Sequence, residues 1–350
     1  MSKEYWNNRE IKAIERTNAI LDHLPDFVSN FITYISSSTS ALTRENYTRD
    51  IEIFFDFIEK ELKVKKIEIT TETLASLSVD FISDYTNYLS NNIKNGKPHK
   101  VGEVTKARRL SALRTLFKFL YINGKIPENQ MTKIASPKLD DKEIIRLKNN
   151  ESLGLLNTII TGEGTQGSEQ AQRFNELLGT RDYTIISLLL NTGIRVSECV
   201  GLDINDIDTA SCSLRVIRKG HSEYTTLYYN DQMGEILNDY LAYRSSFEGV
   251  KEGHEKALFL SNRKQRITVR SVEILVKKYT ERAGILKHIT PHKLRSTYGT
   301  SFYEATGDIR ATANVLGHKS IETTSRRYVE TGREARERLR GAVNLLPEDD

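Results

Sequence analysis

The chain has 350 residues, 38% of them hydrophobic, with 20 glycines and 6 prolines, which favours two folded domains and excludes a disordered or collagen-like chain. Two cysteines, Cys199 and Cys212, cannot staple a protein of this size; no basic start leads into an apolar run, and apolar runs such as Ile185 to Leu190 fall far short of a span of roughly 18 residues, so a soluble protein of a reducing compartment is expected. The net charge of +4 conceals two basic blocks, 13 basic against 5 acidic residues over 97–150 and 18 against 8 over 261–340, separated by 9 against 16 over 151–260.

Basic blocks on either side of an acidic one suit two surfaces meeting a polyanion, or else solvated helix faces. In chain order, residues 1–40 contain a helical pattern around Ile11 to Leu24, which the Ser/Thr cluster at 36–40 ends. From Thr43, read as an N-cap, apolar residues recur at Tyr47, Ile51, Phe54, Phe55, Ile58 and Leu62 with helical spacing. A second helix follows Ser78, and a third runs from Val104 to about Ile122 with a stripe of Leu110, Leu113, Leu116, Phe117, Leu120 and Tyr121. Arg108, Arg114 and Lys118 point away from that stripe and make a face suited to phosphates. Residues 123–140, with two prolines and little periodicity, read as an exposed interdomain linker.

Beyond it, Arg181 to Asn191 reads as a buried helix, and Leu214 to Arg218 and Tyr224 to Tyr229 as the arms of a hairpin around Lys219. Helical patterns return from Val269. The expected fold class is therefore mainly α with a small antiparallel β-sheet.

Gly162-Glu-Gly-Thr-Gln-Gly167 matches G-x-G-x-x-G, but no strand precedes it and no βαβ pattern follows, so a surface loop is the better reading. Neither cysteines nor histidines show zinc spacing, no carboxylate pair suggests a two-metal cluster, and no G-x-S-x-G elbow is present. Neither metal nor cofactor is expected. The informative residues lie late in the chain: Arg195 after a glycine at a helix end, with Glu198 three residues on; His292-Lys-Leu-Arg295; Leu316-Gly-His318; and Tyr328. His292 and Arg295 share a helix face and can offer a proton acceptor and a guanidinium fork to one oxyanion. Taken singly, each piece is commonplace: an H-x-x-R is usually a surface pair and a lone tyrosine usually core.

Together, the order Arg195, Lys219 on a hairpin turn, His292-x-x-Arg295, Leu316-Gly-His318 and Tyr328 resembles the tyrosine recombinase family, the phage integrases and Xer-like site-specific recombinases. The resemblance spans about 42–330 and is strongest in RDYTIISLLLNTGIRVSECVGLDINDID (181–208), HKLRSTYGT (292–300) and LGHKSIETTSRRYV (316–329). It implies a two-domain DNA clamp: a helical core-binding domain of the SAM-like kind over 41–128, a linker at 129–148 and an α+β catalytic domain over 149–332. Residues 1–40 form an N-terminal extension without an assigned role, and 333–350 a helix and acidic tail, with Leu339, Val343 and Leu346 on one face, for contact with another protomer or its own domain.

The resemblance implies that Tyr328 attacks the scissile phosphodiester to give a 3′-phosphotyrosine, without ATP or metal. Arg195, Arg295 and His318 would hold the phosphate, His292 would exchange the tyrosine proton, and Lys219, beside Arg218 and His221, would protonate the leaving oxygen. Glu198 would orient Arg195. Expected partners are double-stranded DNA with inverted-repeat sites, further copies of the chain (a free monomer or weak dimer becoming a homotetramer on synapsed DNA) and accessory directionality factors, in the cytoplasm on the nucleoid. The outcome is site-specific recombination through a Holliday junction, in chromosome-dimer resolution or mobile-element integration. The other readings are an accessory DNA-binding protein with a vestigial site, or topoisomerase or resolvase activity. Two features depart from the family pattern: the His318–Tyr328 interval is one residue longer than usual, and Ser296 stands where a second histidine is frequent.

Overall fold

The computed structural model describes residues 3–94, 97–99, 101–138, 145–162, 169–218, 223–318 and 320–328, with backbone alone at 91–94, 97–99, 169–177, 323 and 326–328. They fall into two compact units that divide between Lys142 and Glu143. Each is described by itself.

The N-terminal unit holds α1 (Lys3–Leu21), α2 (Asp26–Tyr34), α3 (Ala41–Leu62), α4 (Thr71–Ser76), α5 (Val79–Asn91) and α6 (Glu103–Ile122), with a small antiparallel hairpin, β1 (Asn92–Lys94) and β2 (Lys97–His99), before α6. Its core is organised by α3, where Ile51, Phe54, Phe55 and Ile58 are fully buried at i, i+3, i+4 and i+7. Phe54 meets Tyr85 of α5 edge-on at 4.9 Å and Phe117 of α6 at 6.4 Å, so three helices share one aromatic centre. On α6, Leu110, Leu113, Leu116, Phe117 and Leu120 are buried, whereas Tyr121 is exposed because its position turns past the edge of the stripe.

Three expectations are corrected here. The helix predicted from Thr43 begins at Ala41 and is capped by Ser40, whose hydroxyl accepts the Thr43 amide. Residues 1–40 are not a separate extension: α1 packs along α3, and Leu24, Val28, Phe31, Ile32 and Ile35 join the same core. The start of the expected linker is exposed only in part, because Ile126, Met131 and Ile134 insert into that core and Gln130 donates to Ala75 O at 2.9 Å. Its prolines interrupt periodicity without preventing burial.

The second unit contains α7 (Asn149–Thr161), α8 (Glu169–Thr192), α9 (Val196–Gly201), a three-stranded antiparallel sheet, α10 (Asp231–Ser245), α11 (Val269–Arg282), α12 (Pro291–Thr306), α13 (Ile309–Leu316) and α14 (Ile321–Tyr328). The strands β3 (Ile207–Asp208), β4 (Ser213–Ile217) and β5 (Tyr224–Tyr228) lie in the order β3-β4-β5, with Ser213 opposite Tyr228 and Ile217 opposite Tyr224. Helix α8 is central, packed against α7, α10 and α12, with Ile185, Ile186, Leu188 and Leu189 fully buried. Its polar anchor is a buried network in which Arg181 pairs with Asp182 at 2.6 Å and donates to Leu260 O at 2.7 Å, while Tyr279 of α11 donates to Asp182 at 3.0 Å. Burial and the Asp182 charge push the Tyr279 hydroxyl up from its ordinary value. Among the described residues no helix is long and apolar enough to cross a membrane.

Candidate functional site

The site is built around the end of α13. Gly317 occupies the left-handed region at φ +60, and the helix closes with Gly317 N–H to Asn314 O and His318 N–H to Ala313 O, at 2.9 and 3.0 Å. Among the described residues that closure leaves the carbonyls of Val315, Leu316 and Gly317 without backbone partners, and a helix C-terminus is also its negative end. Three arginines from distant segments take them in order. Arg218 donates to Val315 O at 2.6 Å, Arg295 donates to Leu316 O, and Arg195 donates to Gly317 O at 3.1 Å. The next residue is His318.

Arg195 is the N-cap of α9, and its orientation is set twice by Glu198. The buried carboxylate accepts the Arg195 backbone N–H at 2.8 Å and pairs with Nη1 at 2.8 Å. Upstream, Gly193 turns the chain out of α8 at φ +59. A Cβ there would run into the ring of Tyr298, so glycine is required. The Gly193 carbonyl accepts from Arg295 Nη1 at 2.5 Å. Arg295 is thus buried on α12 between the two turns that present Arg195 and His318.

His292 lies exposed on the first turn of α12, one helical turn before Arg295, with Pro291 preset for helix at N1. Ser296, standing where a second histidine is frequent, is buried and donates back to His292 O at 3.1 Å. His318 is half-buried, and its Nδ1 shares a 2.8 Å hydrogen bond with the fully buried Thr324 hydroxyl of α14. Tyr328 closes α14 four residues after Thr324; its side chain lies outside the described residues, as do Lys219, His221, the glycine-rich stretch 163–167 and the tail from 333.

The electrostatics follow from burial. The Arg218 guanidinium is held below its ordinary range by desolvation, opposed by Glu198 and reinforced by Arg195, and burial pushes the neighbouring Tyr298 hydroxyl up. Cys199 is fully buried and its thiol is pushed far up, which rules it out as a nucleophile at neutral pH. The structure therefore brings Arg195, Glu198, Arg295 and His318 together, with Arg218 added. In the sequence Arg218 stands out only as a neighbour of Lys219; the signal for it is an arginine directly after the apolar pair Val216–Ile217 at a strand end, and that pair is buried.

On α6 the expected phosphate face is altered. Arg108 is paired with the buried Asp50 while its own side chain stays exposed, and Arg114 donates to Ile134 O at 3.0 Å, so both guanidinium groups also hold the N-terminal unit together; Lys118 is exposed.

Comparison with known proteins agrees in two places. Residues 167–334 match the phage integrase family and residues 23–135 the phage integrase SAM-like domain. The chain is 34% identical over 317 residues to a tyrosine recombinase XerC of Caldanaerobacter subterraneus subsp. tengcongensis, covering 86% of this chain and 82% of the relative. It is 31% identical over 307 residues to a tyrosine recombinase XerC of Leptospira interrogans, covering 87% and 88%. Among solved structures, a XerH site-specific recombinase bound to difH substrate in a pre-cleavage complex shares the fold at a TM-score of 0.61 and 19% identity, over 86% of this chain and 80% of that one.

Proposed function

This chain belongs to the phage integrase family of tyrosine recombinases, and we propose that it breaks and rejoins duplex DNA at a specific site through Tyr328. The observation that carries this reading is the meeting of Arg195, from the α8–α9 turn, and Arg295, from α12, on the Leu316–Gly317 carbonyls beside His318. Backbone-anchored guanidinium groups are preorganised for an anion and need little reorganisation when charge develops.

In the cleavage step the Tyr328 oxygen attacks phosphorus, and the bond from phosphorus to the 5′ oxygen breaks. The tyrosine proton passes to His292, and the departing oxygen takes a proton from Lys219. One phosphodiester replaces another, so no ATP is consumed. Rejoining reverses the transfer: the 5′-hydroxyl of another strand attacks the phosphotyrosine and Tyr328 recovers its proton. Arg195 and Arg295 stabilise the extra charge on the non-bridging oxygens, Glu198 keeps Arg195 in place, and His318 adds a donor held by Thr324. Exchange of two pairs of strands requires four protomers on two inverted-repeat sites and passes through a Holliday junction. Such an enzyme works on the nucleoid in the cytoplasm.

A duplex nicked near the scissile phosphate, which loses its 5′ fragment on cleavage, tests the assignment. The wild type should accumulate an SDS-resistant protein–DNA adduct, and Tyr328→Phe should bind equally well and form none. An adduct with the Phe variant would show another nucleophile; none with the wild type would favour an accessory DNA-binding role.

A further inference from the structure

Arg218 is not among the groups assigned to cleavage above, yet it is only 5% exposed and sits at the centre of the site. Its Nη2 donates to Val315 O at 2.6 Å, and its guanidinium lies against Gly317 in the space that a Cβ would fill. The Nε and Nη1 groups are buried and meet no acceptor among the described residues. A buried guanidinium with unmatched donors beside a second cation burdens the fold, and an apolar side chain of similar length would fill the space at lower cost.

Position explains what the side chain does. Ile217–Tyr224 is the last registered pair of the β4–β5 ladder, so Arg218 is where the hairpin leaves its sheet. Lys219 is the next residue in the chain. At the other end of the contact, Gly317 directly precedes His318. One guanidinium therefore spans the two chain segments that lead into Lys219 and His318.

We infer that Arg218 is a positioning residue for strand cleavage, bolting the end of β4, and with it Lys219, to the α13 turn that carries His318. The inference rests on the reading of Lys219 as proton donor to the departing oxygen. It makes a separable claim: losing Arg218 should harm the proton transfer more than the stabilisation of charge on the phosphate.

The test uses the full chain in single-turnover cleavage of two nicked duplexes, one with oxygen and one with sulfur at the 5′ bridging position of the scissile phosphate. Sulfur departs as a thiolate and needs no proton. Arg218→Met should cleave the oxygen substrate about 10²-fold more slowly than wild type, the scale expected of a small misplacement, and return close to the wild-type rate on sulfur. Lys219→Ala should show the same pattern. Arg218→Lys, which keeps a charged donor on a long stem, should show a smaller defect that sulfur also relieves, and it carries the comparison should the Met variant fail to fold. An Arg218 defect that persists on sulfur while that of Lys219→Ala disappears would overturn the positioning role, as would wild-type rates for Arg218→Met on both substrates. If sulfur fails to relieve Lys219→Ala, the assignment of Lys219 as donor falls, and the role of Arg218 falls with it.

Discussion

Arg195 performs two tasks that substitution can separate. Its guanidinium neutralises the buried Glu198 carboxylate and, on the proposed reading, holds the scissile phosphate. Arg195→Ala should therefore destabilise the protein by about 3 kcal/mol, because the carboxylate is left buried without that partner, and slow adduct formation by about 10²–10³-fold. Adding Glu198→Gln removes the stranded charge. The double variant should recover most of the lost melting temperature while cleavage stays slow; if cleavage recovered with stability, Arg195 would be structural alone. Gly193 gives a second test at this scale. An alanine there must adopt the left-handed backbone at φ +59, costing about 1–2 kcal/mol, and must also displace the Tyr298 ring. Gly193→Ala should lower the unfolding midpoint in urea, and by less when it is made in a Tyr298→Ala background, where only the backbone part of its cost remains.

At the scale of elements, the long interval between His318 and Tyr328 has a helical answer. Thr324 ties α14 to His318, and α14 runs on without a break to Tyr328, so the interval is spanned by helix. In the N-terminal unit α3, α5 and α6 were legible because their apolar residues repeat at helical spacing, and α1 in part, whereas α2, the short α4 and the β1–β2 hairpin were not. Arg195, Arg295 and His318, which meet at the α13 turn, were legible because their motifs are local, and His292 lies exposed one helical turn before Arg295. What escaped was pairing across the chain: which carbonyls of α13 stay open depends on the Gly317 closure, and their partners lie 97, 122 and 21 residues away. Arg108 escaped for the same reason, since nothing near it in sequence announces Asp50 on α3. That pair has a pH signature. Burial raises the Asp50 carboxyl above its ordinary range, against the pull of Arg108 and Arg109. The folded state thus holds that proton more tightly than the unfolded chain, so the contribution is stabilising in acid and is lost as pH rises through the folded value. Arg108→Met removes the strongest pull. Its deficit should reach about 3 kcal/mol near neutral pH and shrink below about pH 4, where Asp50 is protonated in both states. Urea unfolding across that range measures it, and a deficit independent of pH would mean that Arg108 acts through packing.

The whole-molecule question is whether the two basic blocks grip DNA or are merely solvated. Of the first block, 97–142 lies in the N-terminal unit with 11 basic against 4 acidic residues, net +7, and the +10 over 261–340 lies in the second unit, so a duplex bound by both would draw on both. On the N-terminal side the cations of α6 differ in what else they do: Arg108, though exposed, pairs with Asp50 and Arg114 donates to Ile134 O, whereas Lys118 is exposed. Charge reversal at these positions should therefore fail in different ways. Arg108→Glu should lower stability before it says anything about DNA, since it sets a second carboxylate against Asp50. Lys118→Glu should leave melting unchanged and weaken binding at every salt concentration. If Lys118 neutralises a phosphate, the slope of log affinity against log salt should also become shallower by about 1. Adduct formation at saturating DNA should remain at the wild-type rate, because Tyr328 and the arginines that serve it lie in the other unit. An unchanged salt slope for Lys118→Glu would place Lys118 in solvent and remove it from the DNA-binding face.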